Sequence, residues 1–173
     1  MAEPLAPPLL GISAWSGTGK TSLLVRLLPV LRARGVKVGV VKHAHHPFEI
    51  DQPGKDSFRV RQAGAVQVLL ASRWRRALMI DDELDHEPTT AELVPLLDHS
   101  GLDLVLVEGF KSNPVPKIIL WRSEVGRPLE IKPDDGVIAI ATDGLLETAF
   151  GLPVLDLNRP ERIADFIIDW AQL

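Results

Sequence analysis

One stretch near the start constrains this chain more than any other: Leu9-Leu10-Gly11-Ile12-Ser13-Ala14-Trp15-Ser16-Gly17-Thr18-Gly19-Lys20-Thr21-Ser22. The apolar run from Leu9 to Ala14 reads as a buried strand. A glycine-bearing loop follows, and Gly19-Lys20-Thr21 opens a helix rich in leucine. Strand, loop and helix in that order are the setting a phosphate-binding loop needs. Gly17 and Gly19 lack Cβ, so backbone N–H groups can curl around an anion. The helix start adds unpaired N–H donors and the positive end of its dipole. Ser16, Gly17, Thr18, Gly19, Lys20, Thr21 and Ser22 are therefore the candidate triphosphate-binding residues. Lys20 is expected on the β- and γ-phosphates, and the Thr21 hydroxyl on Mg²⁺. Ala14 stands where the pattern's first glycine usually lies, and its Cβ is tolerated at negative φ. The segment predicts a nucleoside triphosphate site.

The rest of the chain must build a sheet around that loop. Its 173 residues suffice for one domain with a full core, so residues 1–173 are expected to form a single nucleotide-binding domain. From Gly19 to about Arg34, Leu23, Leu24, Leu27, Leu28 and Leu31 share one helical stripe, with Pro29 inside it and Gly35 closing it. Val36–Val41 is the second strand, completing a βαβ unit with parallel pairing. A short helix is expected at Asp56–Ala63, then two hairpin strands at Val66–Ala71 and Ala77–Ile80. Thr89 or Thr90 caps a helix running to about Asp98. Leu102–Val107, Lys117–Trp121, Val137–Ala141 and Val154–Leu157 are further strands. Asn158 is expected to cap a closing helix with Pro160 in its first turn and Ile163, Phe166, Ile167 and Trp170 on its packed face. The predicted fold is α/β: a three-layer P-loop NTPase-like fold, mostly parallel in its central sheet, with an added β-hairpin.

Composition removes several alternatives. A formal net charge of −4 gives no broad nucleic-acid footprint. The dense basic patch Arg73, Arg75 and Arg76, with Trp74, is confined to one hairpin turn, which suits a protein partner better. Zero cysteines exclude disulfides, thiolate metal sites and cysteine nucleophiles. No apolar run approaches the roughly eighteen residues of a membrane span. The opening Met1-Ala2-Glu3-Pro4 is unlike a signal peptide, so a cytoplasmic location is expected.

Two further segments carry chemistry. Leu102–Val107 is an apolar strand delivering Glu108 and Gly109 at its carboxyl end, where open α/β sheets bind ligands. Glu108 is a candidate Mg²⁺-side carboxylate; being a methylene longer than the usual Asp, it calls for a bridging water or a shifted metal. Lys42-His43-Ala44-His45-His46 ends the second strand at the same edge. Glu49 and Asp51 nearby invite a zinc reading, but no fourth ligand is convincingly spaced. The preferred reading is a polar loop whose Lys42, His43, His45 and His46 approach phosphates or a pterin-like anion. Asp51 and Asp56 are alternative metal-side carboxylates, and Arg59 a candidate charge-stabilising finger. Asp143, at the end of a late strand, either accepts from guanine N1 and N2 or forms an Asx turn.

Together, the phosphate loop, the histidine block, Asp51-Gln52-Pro53-Gly54-Lys55-Asp56-Ser57 and Leu106-Val107-Glu108-Gly109-Phe110-Lys111 resemble the molybdopterin-guanine dinucleotide biosynthesis protein B family, in the same order along nearly the whole chain. The resemblance implies a GTP-binding adapter with weak GTPase activity, Mg²⁺ and a homodimer. It also implies action beside the guanylyltransferase that joins GMP to molybdopterin. No catalytic residue is assigned. The alternatives are an ATP-dependent small-molecule kinase or ligase of the same superfamily, and a metal-delivery GTPase.

Overall fold

Apolar strands alternating with leucine-striped helices leave each strand two faces to cover, and the chain covers them with helices. The computed structural model describes residues 6–44, 46–82, 84–110, 113–132, 135–146 and 148–173. Their contacts form two compact units, Met1–His43 with Thr89–Leu173, and Ala44–Pro88.

The first unit begins with β1 (Leu9–Ser13), α1 (Lys20–Ala33) and β2 (Val38–Lys42). The second contains α2 (Asp56–Gln62) and the strands β3 (Gln67–Ala71) and β4 (Arg76–Ile80). The chain then returns to the first unit with α3 (Thr90–Leu93), β5 (Leu104–Glu108), β6 (Lys117–Trp121), β7 (Val137–Thr142), β8 (Val154–Asp156) and α4 (Pro160–Ala171). Among the described residues, no helix is long and apolar enough to cross a membrane.

The main sheet has six strands in the order β2-β5-β1-β6-β7-β8, and every neighbouring pair is parallel. Alternation along each strand separates two cores. Leu10, Ile12, Leu104, Leu106, Ile118 and Leu120 face α1 and α4, which contribute Leu27, Leu31, Ile163 and Ile167. Val105 and Val107 face the other way, with Val41 and Phe110, and Leu93, Val94 and Leu97 pack over them. The result is the three-layer arrangement with a parallel centre.

Helix α1 continues past Pro29 to Ala33. The carbonyl that loses its partner belongs to Val25, on the exposed side, where water can take it. Its end is a Schellman turn: Gly35 N–H donates to Arg32 O and Val36 N–H to Leu31 O.

Two helix expectations need correction. The helix expected to reach Asp98 stops at Leu93 and tightens into a 3-10 turn over Val94–Leu96. Pro95 has no N–H to continue an α-helical ladder, although the Thr89–Glu92 capping box starts the helix well. Asn158 does not cap α4. The N-cap position is Arg159 without a side-chain cap, Pro160 sets the first turn, and the Asn158 N–H donates to Asp156 Oδ1 at 2.8 Å.

In the second unit, β3 and β4 form an antiparallel pair with Leu69 opposite Leu78. The turn is held by Ser72, whose Oγ accepts from the N–H groups of Trp74 and Arg75. Leu69, Leu70 and Leu78 remain exposed, as does Trp74 under the Arg73 guanidinium.

Candidate nucleotide site

The loop after β1 folds as a cradle. Gly17 and Gly19 hold φ of 84° and 97°, a left-handed conformation that side chains resist. Gly19 is the N-cap of α1, with no side-chain cap, so the first N–H groups of the helix face the loop mouth uncapped. Lys20 Nζ donates to the carbonyls of Ala14 and Trp15 at 3.2 and 3.3 Å, which folds its ammonium over the loop. Thr18 is buried, and its hydroxyl returns to Trp15 O at 2.9 Å. Ser16 and Ser22 are exposed beside it.

Sheet register then brings an acid and a second ammonium to the start of α1. In β5, Glu108 lies opposite Ile12 of β1 on one side and Lys42 of β2 on the other. Thr21 Oγ1 donates to Glu108 Oε1 at 3.3 Å, Lys42 Nζ pairs with the same oxygen at 3.3 Å, and Lys42 Nζ donates to Thr21 Oγ1 at 3.4 Å. Glu108 is only 6% exposed, so its carboxylate needs these partners. A hydroxyl and a carboxylate side by side are hard oxygen donors, the set a small divalent cation takes.

His43 closes the end of β2 against the same strand. Its backbone N–H donates to Glu108 O at 2.9 Å, and its ring lies against that of Phe110, centroids 5.0 Å apart and tilted by 40°. Gly109 (φ 101°) makes this possible: a Cβ there would stand 3.2 Å from His43 Cβ.

At the other side of the loop, Arg122 follows β6 directly. Its Nε donates to the Thr18 carbonyl at 3.1 Å and its Nη1 pairs with Asp143 Oδ2 at the end of β7. The sequence reading passed over Arg122. Its signal was positional, as the first residue beyond an apolar strand.

The remaining candidates belong to the second unit. Asp51 Oδ1 accepts from the Gln52 N–H and the Ser57 hydroxyl, both at 2.9 Å, while its Oδ2 is buried with no partner among the described residues. Asp56 starts α2 and forms an exposed pair with Arg59 at 3.8 Å. Arg61, with Glu49 and Asp81, makes the more enclosed pairing there. His46 is exposed, and His45 lies outside the described residues. Among the described residues no three His, Asp or Glu side chains converge as a metal-binding group.

Residues 9–143 match the family model described as Molybdopterin guanine dinucleotide synthesis protein B, MobB. This chain belongs to the MobB family. It is 47% identical over 173 residues to the molybdopterin-guanine dinucleotide biosynthesis adapter protein of Escherichia coli, covering 99% of this chain and 98% of that one. The Haemophilus influenzae adapter protein is likewise 47% identical over 165 residues, covering 94% of this chain and 89% of its own. A crystal structure of Bacillus subtilis MobB superposes with a TM-score of 0.73 at 26% identity, over 94% of this chain and 96% of that one. The MobB assignment places the chain in molybdopterin-guanine dinucleotide biosynthesis as an adapter on a P-loop NTPase-like fold.

Proposed function

We propose that this chain binds GTP with Mg²⁺ and, as a homodimer in the cytoplasm, assists the guanylyltransferase that attaches GMP to molybdopterin. The observation that carries the nucleotide reading is the cluster of Thr21, Glu108 and Lys42 beside the uncapped start of α1. One place there suits an anionic tail and the next suits a divalent cation. Gly17, Thr18, Gly19 and Lys20 would hold the phosphates, flanked by Ser16 and Ser22. Thr21 and Glu108 would hold Mg²⁺, which lowers the charge of the bound triphosphate. Lys42 would turn from Glu108 toward phosphate as the metal takes over the carboxylate. Asp51, whose buried Oδ2 has no partner among the described residues, remains a metal-side candidate in its own unit. Lys42, His43, His45, His46, Asp56 and Arg59 are proposed as the segment that responds to the nucleotide.

Asp143 supports guanine over adenine. A carboxylate accepts from the guanine N1–H and N2–H, whereas adenine turns a lone pair toward it. Hydrolysis is expected to be slow, since no glutamine lies in residues 14–19 or 109–116 to orient a water. Homodimer formation is assigned to the β3–β4 hairpin, whose exposed Leu69, Leu70 and Leu78 need a cover. The adapter role rests on the names of the two relatives, and molybdopterin itself would arrive with the transferase.

The test is calorimetric titration of the full chain with GTP and ATP, each with Mg²⁺. We expect GTP to bind and ATP to bind at least about tenfold more weakly, a difference of about 1.4 kcal/mol. Lys20→Ala should abolish both while the chain stays folded, because the Lys20 ammonium is held by the loop carbonyls of Ala14 and Trp15 at the site itself. Equal affinity for ATP, with turnover on a small acceptor, would replace this reading by a kinase.

A further inference from the structure

The guanidinium of Arg122 sits where β1, β6 and β7 end together. It joins the Thr18 carbonyl, 104 residues away in the chain, to the Asp143 carboxylate, 21 residues away. Both side chains of the ion pair are partly covered, at 29% and 22% exposure. Thr18 belongs to the phosphate loop and is itself buried.

Two physical consequences follow. A guanidinium is planar, and its N–H directions are fixed relative to one another. The Thr18 carbonyl and the Asp143 carboxylate are thereby tied to one rigid group. The second consequence is electrostatic. A carboxylate that reads a base shares its cleft with a polyanionic triphosphate, and the two repel at short range. Arg122 lies between them and offsets that repulsion. It takes Oδ2 alone, and each carboxylate oxygen has two acceptor sites, so the base edge can still be read.

Resting on the guanine reading above, we propose that Arg122 is the positioning residue that couples base recognition to the phosphate loop. It holds Asp143 in one orientation, cancels its charge toward the phosphates, and registers both against Thr18. A lysine cannot replace it, because one ammonium lacks the fork needed to meet both partners in fixed directions.

The experiment is calorimetric titration of the full chain with GTP, ITP, ATP and inorganic tripolyphosphate, all with Mg²⁺. The proteins are the parent, Arg122→Gln, Arg122→Lys and Asp143→Asn, with thermal melting to confirm folding. ITP lacks the exocyclic amino group, so the GTP-to-ITP affinity ratio reports how well Asp143 is aimed. Arg122→Gln should lower that ratio several-fold and also weaken tripolyphosphate. Arg122→Lys should recover tripolyphosphate binding in part while leaving the ratio low. If Arg122→Gln weakens GTP and ITP alike and keeps their ratio, Arg122 is only structural and the proposal falls. Failure of the guanine reading looks different: the parent shows no preference for GTP over ATP, and Asp143→Asn changes no ratio. That outcome removes both ideas together.

Discussion

Strands β5 and β3 read almost alike and end up in opposite circumstances. Leu-Val-Leu-Val-Glu in β5 is buried at every position, flanked by β2 and β1 and covered on both faces. Gln-Val-Leu-Leu-Ala in β3 has one neighbour, β4, and leaves Leu69 63% exposed. Apolar content therefore does not decide burial; the number of neighbours does. The six-stranded sheet spends its apolar residues on its own stability and lines up polar groups at its carboxyl edge. The hairpin leaves apolar side chains exposed, while elsewhere in its unit Arg61 pairs with Glu49 and Asp81.

The sharpest way to break that contrast is the same substitution in both strands. Leu106→Ala removes a fully buried side chain between two packed layers and should cost about 2–5 kcal/mol in urea unfolding at any protein concentration. Leu69→Ala should change unfolding of dilute protein by less than about 0.5 kcal/mol. Leu69→Asp should instead shift sedimentation toward the monomer while the sheet unit keeps its Tm. A dimer that survives Leu69→Asp would move the association surface elsewhere.

Much of this contrast was legible in the sequence, and the illegible part has a common cause. The phosphate loop, the parallel strands and Glu108 are local patterns: an apolar run, a glycine turn and a carboxylate at a strand end. The break after Leu93 was readable from Pro95 but masked by the strong cap at Thr89. Lys42 was singled out for phosphate, yet its pairing with Glu108 follows from β2 lying beside β5, which sequence order does not reveal. Arg122 was missed for the same reason. Its partners meet it only because β6 is inserted between β1 and β7. The hairpin was visible as an element, but its place in a separate unit with Asp51, Asp56 and Arg59 was not.

A middle-sized effect tests the polar edge of the sheet. Lys42 is the ammonium facing the buried Glu108, and it is itself 55% exposed, so the pair contributes on the order of 1 kcal/mol. Lys42→Met removes that partner and leaves Glu108 and Thr21 open to a cation. Mn²⁺ titration without nucleotide, followed by electron paramagnetic resonance, should show binding about fivefold tighter than in the parent, that same energy expressed as affinity. The variant's Tm should fall in chelator and recover with the metal. A Tm indifferent to metal would mean that Glu108 and Thr21 do not form a cation site. Glu108→Gln provides the complement, weakening metal dependence more than nucleotide affinity.

The smallest effect probes the cost of a charge inside the sheet unit. Lys117 is 3% exposed at the start of β6, and its Nζ donates to Asn113 O at 3.0 Å. Burial lowers its pKa from the ordinary 10.5, while the nearby Asp135 charge opposes the shift. Between the lowered native value and 10.5, the unfolded chain holds more protons than the folded one, so this residue makes stability rise with pH. Its penalty is complete below the native pKa and gone above 10.5. Lys117→Met has no proton to lose. Urea unfolding from pH 7 upward should therefore show the parent gaining on the variant as pH climbs toward 10. Parallel profiles would mean that the ammonium is as well solvated at the strand end as in the unfolded chain, and that Asn113 and Asp135 offset its burial in full.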